Sequence, residues 1–165
     1  MKRIIYTFII LLAGLSVSAQ TPDQIFKAAG SPPNPKVQVS WNRYYTSEGL
    51  WAIAKKLSEA HPNLVKVETI GKTYEGRDMI ALTITDFSKG NVDRKPGMYV
   101  DGNIHSNEIQ GGEFAMYTAW YLAESWYYND FIKDLLADKV FYIVPTINPD
   151  ARNDYMKGVN CCLLY

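Results

Sequence analysis

From Tyr44 onward the chain switches repeatedly between a helical and a strand-like spacing of apolar residues. Leu50, Trp51, Ala54 and Leu57 fall on one face at helical spacing, which predicts a helix over roughly residues 47–60. Thr46 or Ser47 can cap its start, and Pro62 stops it. Leu64-Val65-Lys66-Val67-Glu68-Thr69-Ile70 alternates apolar and polar, the mark of a half-buried strand. A turn region follows, centred on Glu75-Gly76-Arg77, and Met79 to Thr85 reads as a second strand, antiparallel to the first. Met98-Tyr99-Val100 is a short strand that ends at Asp101-Gly102-Asn103. After Glu108, residues of about 109–128 predict a long helix with Phe114, Tyr117, Trp120, Tyr121 and Ala123 on its apolar side. Phe131 to Ala137 predicts a short helix, and Val140-Phe141-Tyr142-Ile143-Val144 is a continuous apolar run of the buried-strand type. Pro145 to Asp150 then leads into a polar tail.

This order gives an α/β fold with a mixed sheet covered by helices, because a strand–helix–strand crossover of this length joins parallel neighbours. A buried strand at 140–144 needs neighbours on both edges and cover on both faces. About twenty residues remain after it, with no clear second covering helix, so the pattern reads as the first half of a larger sheet. The aromatics from Tyr117 to Tyr128 have helical spacing, which favours a core face over a carbohydrate or partner surface.

The amino terminus follows a different rule. Lys2 and Arg3 precede an uncharged apolar run from Ile4 to Leu15, and Ser16-Val17-Ser18-Ala19 supplies small residues for a signal peptidase. The run is too short to span a membrane before Gln20-Thr21-Pro22-Asp23 interrupts it. Residues 1–19 therefore read as a signal peptide, 20–43 as a Pro-rich, loosely held leader and 44–165 as the packed part of a larger domain. The expected location is periplasmic or extracellular, with no stable membrane anchor after cleavage. Cys161 and Cys162 are adjacent, which prevents them from stapling a fold, and they read as incidental.

Charge narrows the function classes. Lys and Arg total 17, as do Asp and Glu, so the formal net charge is zero. A nucleic-acid partner is not expected without a basic excess. Apolar residues at 47% exclude a disordered chain. Two His and two Cys leave few soft metal ligands. A zinc site here has to recruit carboxylates or ligands from outside this chain.

The sharpest chemical feature is Gly102-Asn103-Ile104-His105-Ser106-Asn107-Glu108, placed where a strand ends and a helix begins. Ligands of open α/β sheets collect beyond the carboxyl ends of strands. A turn between His105 and Glu108 can bring imidazole and carboxylate to one point, and zinc accepts both donor types. His61, at the end of the first helix, reads as a surface residue whose cation suits the helix dipole.

Three stretches occur in an order and spacing that resemble the M14 zinc carboxypeptidase family, carboxypeptidase A-like: Glu75-Gly76-Arg77, His105-x-x-Glu108 and Asn148-Pro149-Asp150. The resemblance covers approximately residues 44–155. It implies the first half of an α/β/α sandwich built on a mixed sheet, with His105 and Glu108 as the first two ligands of Zn2+ and a peptide or protein as substrate. It assigns the first and third stretches no catalytic role. The family's third ligand, general-base glutamate and carboxylate-binding arginine lie further downstream, beyond Tyr165, and no His follows His105. The arginine common between the zinc-binding His and Glu is Asn107 here, which can still hydrogen-bond a peptide carbonyl. Arg152 does not match the substrate-binding arginine. The resemblance implies a zinc-dependent metallocarboxypeptidase represented by its amino-terminal part and inactive alone. The alternatives are a non-catalytic exported binding domain on the same scaffold, and a related zinc amidase acting on cell-wall peptides.

Overall fold

The computed structural model describes residues 30–158. The expected signal peptide and the Cys161–Cys162 pair lie outside the described residues. The elements run in order: helix α1 (Ser47–Ala60), strands β1 (Val65–Lys72), β2 (Asp78–Ile84) and β3 (Gly97–Asp101), helices α2 (Ile109–Ser125) and α3 (Asp130–Asp138), strand β4 (Val140–Val144) and helix α4 (Pro149–Met156).

The strands form one mixed sheet in the order β1-β2-β4-β3. The β1/β2 and β2/β4 pairs are antiparallel, and β3 runs parallel to β4. The register sorts the side chains by period two. Val65 is paired with Ile84, Val67 with Leu82, Leu82 with Ile143 and Ile84 with Phe141, so these residues share one face. That face joins the core with Leu50, Ala54 and Leu57 of α1 and Met116, Ala119, Trp120 and Ala123 of α2. The opposite face carries Lys66, Thr83, Tyr99 and Tyr142, and there Tyr99 is 60% exposed. Strand β3 lies at one border of the four strands, and Ile70 on β1 falls at a register shift between Thr69 and Gly71.

Local rules explain most element ends. Thr46 Oγ1 accepts from the Gly49 amide at 3.2 Å and starts α1. Asn129 Oδ1 accepts from Ile132 N and starts α3. The aromatic run on α2 is largely core: Trp120 is 2% exposed, and Tyr117, Tyr121 and Trp126 pack against the cluster. Tyr127 and Tyr128, just past the helix, are exposed.

Three expectations are corrected. The tail after Pro145 contains α4, where Asn148 Oδ1 caps the Ala151 amide at 3.2 Å and Pro149 occupies the first turn. Its buried residues include Asp150, Arg152 and Asn153, so apolar periodicity had nothing to detect. The Pro-rich leader is held from Lys36 onward. Val37 and Val39 are buried, Val37 O accepts from Trp120 Nε1 at 2.8 Å, and Trp41 meets Tyr117 edge-on. His61 does end α1, but it is 1% exposed rather than on the surface. Its Nε2 lies 2.9 Å from Glu124 Oε1 and its Nδ1 3.2 Å from the Tyr127 hydroxyl.

Candidate metal centre

The loop from Gly102 to Glu108 leaves the carboxyl end of β3 and returns directly into α2. Glycine makes this return possible. A Cβ on Gly102 would sit 2.4 Å from Gly111 O, a backbone atom of the facing helix that cannot step aside. The Gly102 amide also donates to Val144 O at 3.2 Å, and Gly102 O accepts from the Ile147 amide at 3.0 Å. The loop thereby starts from a point pinned to β4 and the segment after it. Asn103 follows with a φ of 55°, the left-handed region that asparagine tolerates better than most residues.

His105 and Glu108 come together across this turn, with His105 Nδ1 3.0 Å from Glu108 Oε2. Their side chains are 36% and 53% exposed, so both remain accessible from solvent. Glu108 occupies the cap position of α2 yet makes no capping hydrogen bond with its side chain. Its carboxylate turns to His105 instead. Asn107 lies exposed in the same turn. Among the described residues, no group of three or more His, Cys, Asp or Glu side chains could hold a metal ion.

Beside this loop a cleft of about 660 Å³ runs between the 73–75 turn and residues 147–150, with Ile104 on its wall. The two other family-like stretches meet here. Arg77 Nη1 donates to Asp150 Oδ1 at 2.6 Å and also pairs with Glu75. Asp150 accepts in addition from Thr73 Oγ1 at 2.9 Å and from the Glu75 amide at 3.0 Å. Burial pushes the Asp150 carboxyl up, but the Arg77, Glu75 and Thr73 donors outweigh it and hold the group below its ordinary value. The hydrogen bond to Asp150 likewise raises Arg77. The Glu-Gly-Arg turn and the Asn-Pro-Asp segment are thus one fastening between the β1–β2 turn and α4.

Two residues that hold the site had no role assigned to them from sequence. Arg152 is fully buried, and Asn103 is 3% exposed. Asn103 Oδ1 accepts from Arg152 Nη1 at 2.8 Å, while its Nδ2 donates to His105 O at 2.6 Å.

A family model described as zinc carboxypeptidase matches residues 50–153. The chain belongs to the zinc carboxypeptidase family. It is 34% identical over 113 residues to carboxypeptidase B of Astacus astacus, an alignment covering 68% of this chain and 35% of that protein. It is 30% identical over 112 residues to zinc carboxypeptidase A 1 of Drosophila melanogaster, covering 67% of this chain and 26% of that one. The chain therefore spans about a third or less of these curated relatives. Among solved structures, thrombin-activatable fibrinolysis inhibitor superposes with a TM-score of 0.62 at 21% identity, over 71% of this chain and 29% of that one. Carboxypeptidase A from Helicoverpa armigera gives 0.61 at 22% identity, over 72% of this chain and 28% of that one. At those identities the likeness shows the fold, a mixed sheet with flanking helices of carboxypeptidase type.

The zinc named in the family description can be tested against the donors present. Two ligands on a tetrahedral zinc, each about 2.0–2.2 Å from the ion, lie roughly 3.3 Å apart. The 3.0 Å between His105 Nδ1 and Glu108 Oε2 fits such a pair, as does the mixture of imidazole and carboxylate. The zinc carboxypeptidase loop thus presents two convergent, solvent-accessible side chains at the carboxyl end of β3.

Proposed function

We propose that this chain supplies the amino-terminal part of a zinc-dependent metallocarboxypeptidase, hydrolysing a C-terminal peptide bond, and that it is inactive alone. The observation that carries this reading is the convergence of His105 and Glu108 at the carboxyl end of β3, inside the family-matched segment. His105 would offer its Nδ1 lone pair and Glu108 its Oε2 to the ion. When bound, zinc supplies Lewis acidity toward the scissile carbonyl and an activated water. Asn107, exposed in the same turn, would donate its side-chain amide to a peptide carbonyl. A catalytic zinc takes three protein ligands plus water. With two donors here and no His after His105, we assign the third ligand and the general base to residues outside this chain. The apolar run behind Lys2 and Arg3 supports export to the periplasm or the medium. Among the described residues no helix is long and apolar enough to cross a membrane.

The test is a zinc competition titration on the full 165-residue chain. One weak site is expected, and it should vanish in His105→Ala and in Glu108→Ala. Unchanged zinc binding in both variants removes the metal assignment. A peptidase assay on the same preparation should show no turnover, and robust chelator-sensitive turnover overturns the inactivity.

A further inference from the structure

Arg152 is the one residue of α4 whose charge reaches the loop. Each of its five guanidinium N–H groups has an acceptor. Nε and Nη2 donate to Tyr45 O at 2.9 and 2.6 Å. Nη2 also donates to Glu113 Oε1 at 2.6 Å, which balances the buried charge. Nη1 donates to Asn103 Oδ1 at 2.8 Å and to Ile109 O at 2.7 Å. Those last two acceptors stand at opposite ends of the metal-ligand loop: Asn103 where it leaves β3, Ile109 where it enters α2. One rigid, planar group therefore spans the loop's entrance and exit.

The hold continues inward. Asn103, its carboxamide oriented by Arg152, donates Nδ2 to His105 O at 2.6 Å. That same carbonyl accepts from the Glu108 amide at 3.2 Å. The backbone of one candidate ligand is thus bonded to the backbone of the other and to a side chain fixed by Arg152. Gly112 is part of the arrangement, since a Cβ there would fall 2.7 Å from Arg152 Nη1.

We propose that Arg152 is a positioning residue, clamping the 103–109 loop at both ends so that His105 Nδ1 and Glu108 Oε2 are preorganised to receive a metal ion. This inference rests on the zinc reading for the identity of the ion, while the clamp itself is a property of this chain. Lysine cannot reproduce it, because one ammonium cannot reach Tyr45, Asn103, Ile109 and Glu113 together in the planar geometry of a guanidinium.

The experiment uses the full chain and three variants. Arg152→Lys keeps the charge and loses the fork. Asn103→Gly keeps access to positive φ and removes the carboxamide. Asn103→Asp keeps an acceptor for Arg152 and sets an oxygen against His105 O. Hydrogen exchange of the Glu108 amide is read without metal, with the β4 amides as the control for global stability, and zinc affinity is read by competition. In all three variants the Glu108 amide is expected to exchange about tenfold faster relative to β4, and zinc affinity to fall about tenfold, as for residues that orient metal ligands. If Arg152→Lys does not fold, the two Asn103 variants, which leave the Arg152–Glu113 pair in place, decide the matter. Wild-type exchange at Glu108 and wild-type zinc affinity in the Asn103 variants overturn the clamp while leaving the zinc reading intact. A parent chain that binds no zinc, with variants that loosen the loop, overturns the zinc reading and leaves the clamp standing.

Discussion

The molecule contains two histidine–glutamate pairs of nearly equal length and opposite circumstance. His61 and Glu124 are 2.9 Å apart, with side chains 0% and 1% exposed. His105 and Glu108 are 3.0 Å apart and 36% and 53% exposed. In the first pair every acceptor is engaged. Glu124 Oε1 takes the Val37 amide at 2.8 Å as well as His61, and Oε2 takes the Lys36 amide at 2.7 Å. The pair ties α1, α2 and the segment before α1 into one unit, and both side chains are shielded from solvent. In the second pair the surrounding bonds hold the backbone, and the side-chain donors stay accessible. Identical chemistry becomes a structural fastening in one place and a candidate ligand set in the other. What separates them is the number of protein groups already bound to the carboxylate.

This contrast can be broken most forcefully at Glu124. Glu124→Ala leaves buried His61, the buried Val37 amide and the half-buried Lys36 amide without their carboxylate, and a loss of about 3–5 kcal/mol in unfolding free energy is expected by denaturant titration. His105→Ala and Glu108→Ala should stay within about 0.5 kcal/mol of the parent. Similar losses at both pairs would erase the distinction. Acid sharpens it further. Burial pushes the Glu124 carboxyl up, but His61 and the Val37 and Lys36 amides outweigh this and hold it below the ordinary 4.5. The unfolded chain therefore takes up the proton first. Its contribution to stability is complete above the ordinary value and disappears as pH falls through the lower folded value. Melting temperature should fall more steeply with acid in the parent than in Glu124→Gln.

Asp150 lies between the extremes, with a side chain 13% exposed and paired to Arg77. Asp150→Asn should cost about 2 kcal/mol by the same titration, since hydrogen bonds to a charged group exceed neutral ones. A change as small as at Glu108 would mean the fastening to the β1–β2 turn is dispensable. An effect smaller than that at Asp150 is expected from the ion itself. At tenfold excess over its dissociation constant, zinc should stabilise the parent by about 1.4 kcal/mol. The thermal shift should be absent in Glu108→Ala and retained in Asp150→Asn.

Much of this architecture was legible because apolar residues announce their period. The helix expected over 47–60 coincides with α1, and the run at 140–144 is β4, central in the sheet. The antiparallel β1/β2 pair followed from an alternating run and a second strand-like run joined by one turn. The pairing of His105 with Glu108 was legible too, from a spacing of three at the end of a strand. Elsewhere burial is achieved by polarity. Helix α4 buries a guanidinium, a carboxylate and an amide, so its inward face reads as a polar tail. His61 ends its helix as expected, but its depth depends on Glu124, sixty-three positions away, which no local pattern reports. Val37, set among prolines, reaches the core because Glu124 accepts from its amide and Trp120 donates to its carbonyl. The clamp from Arg152 through Asn103 joins residues forty-nine positions apart and has the same invisibility.

The position of β3 at the border of the sheet has one further consequence. Its outer row of backbone groups has the spacing to accept a fifth strand. Such a strand would run alongside Gly97–Asp101 and reach the neighbourhood of the turn that carries His105. Extending the sheet and walling in the surroundings of the His105–Glu108 pair would, by this geometry, be a single act of assembly.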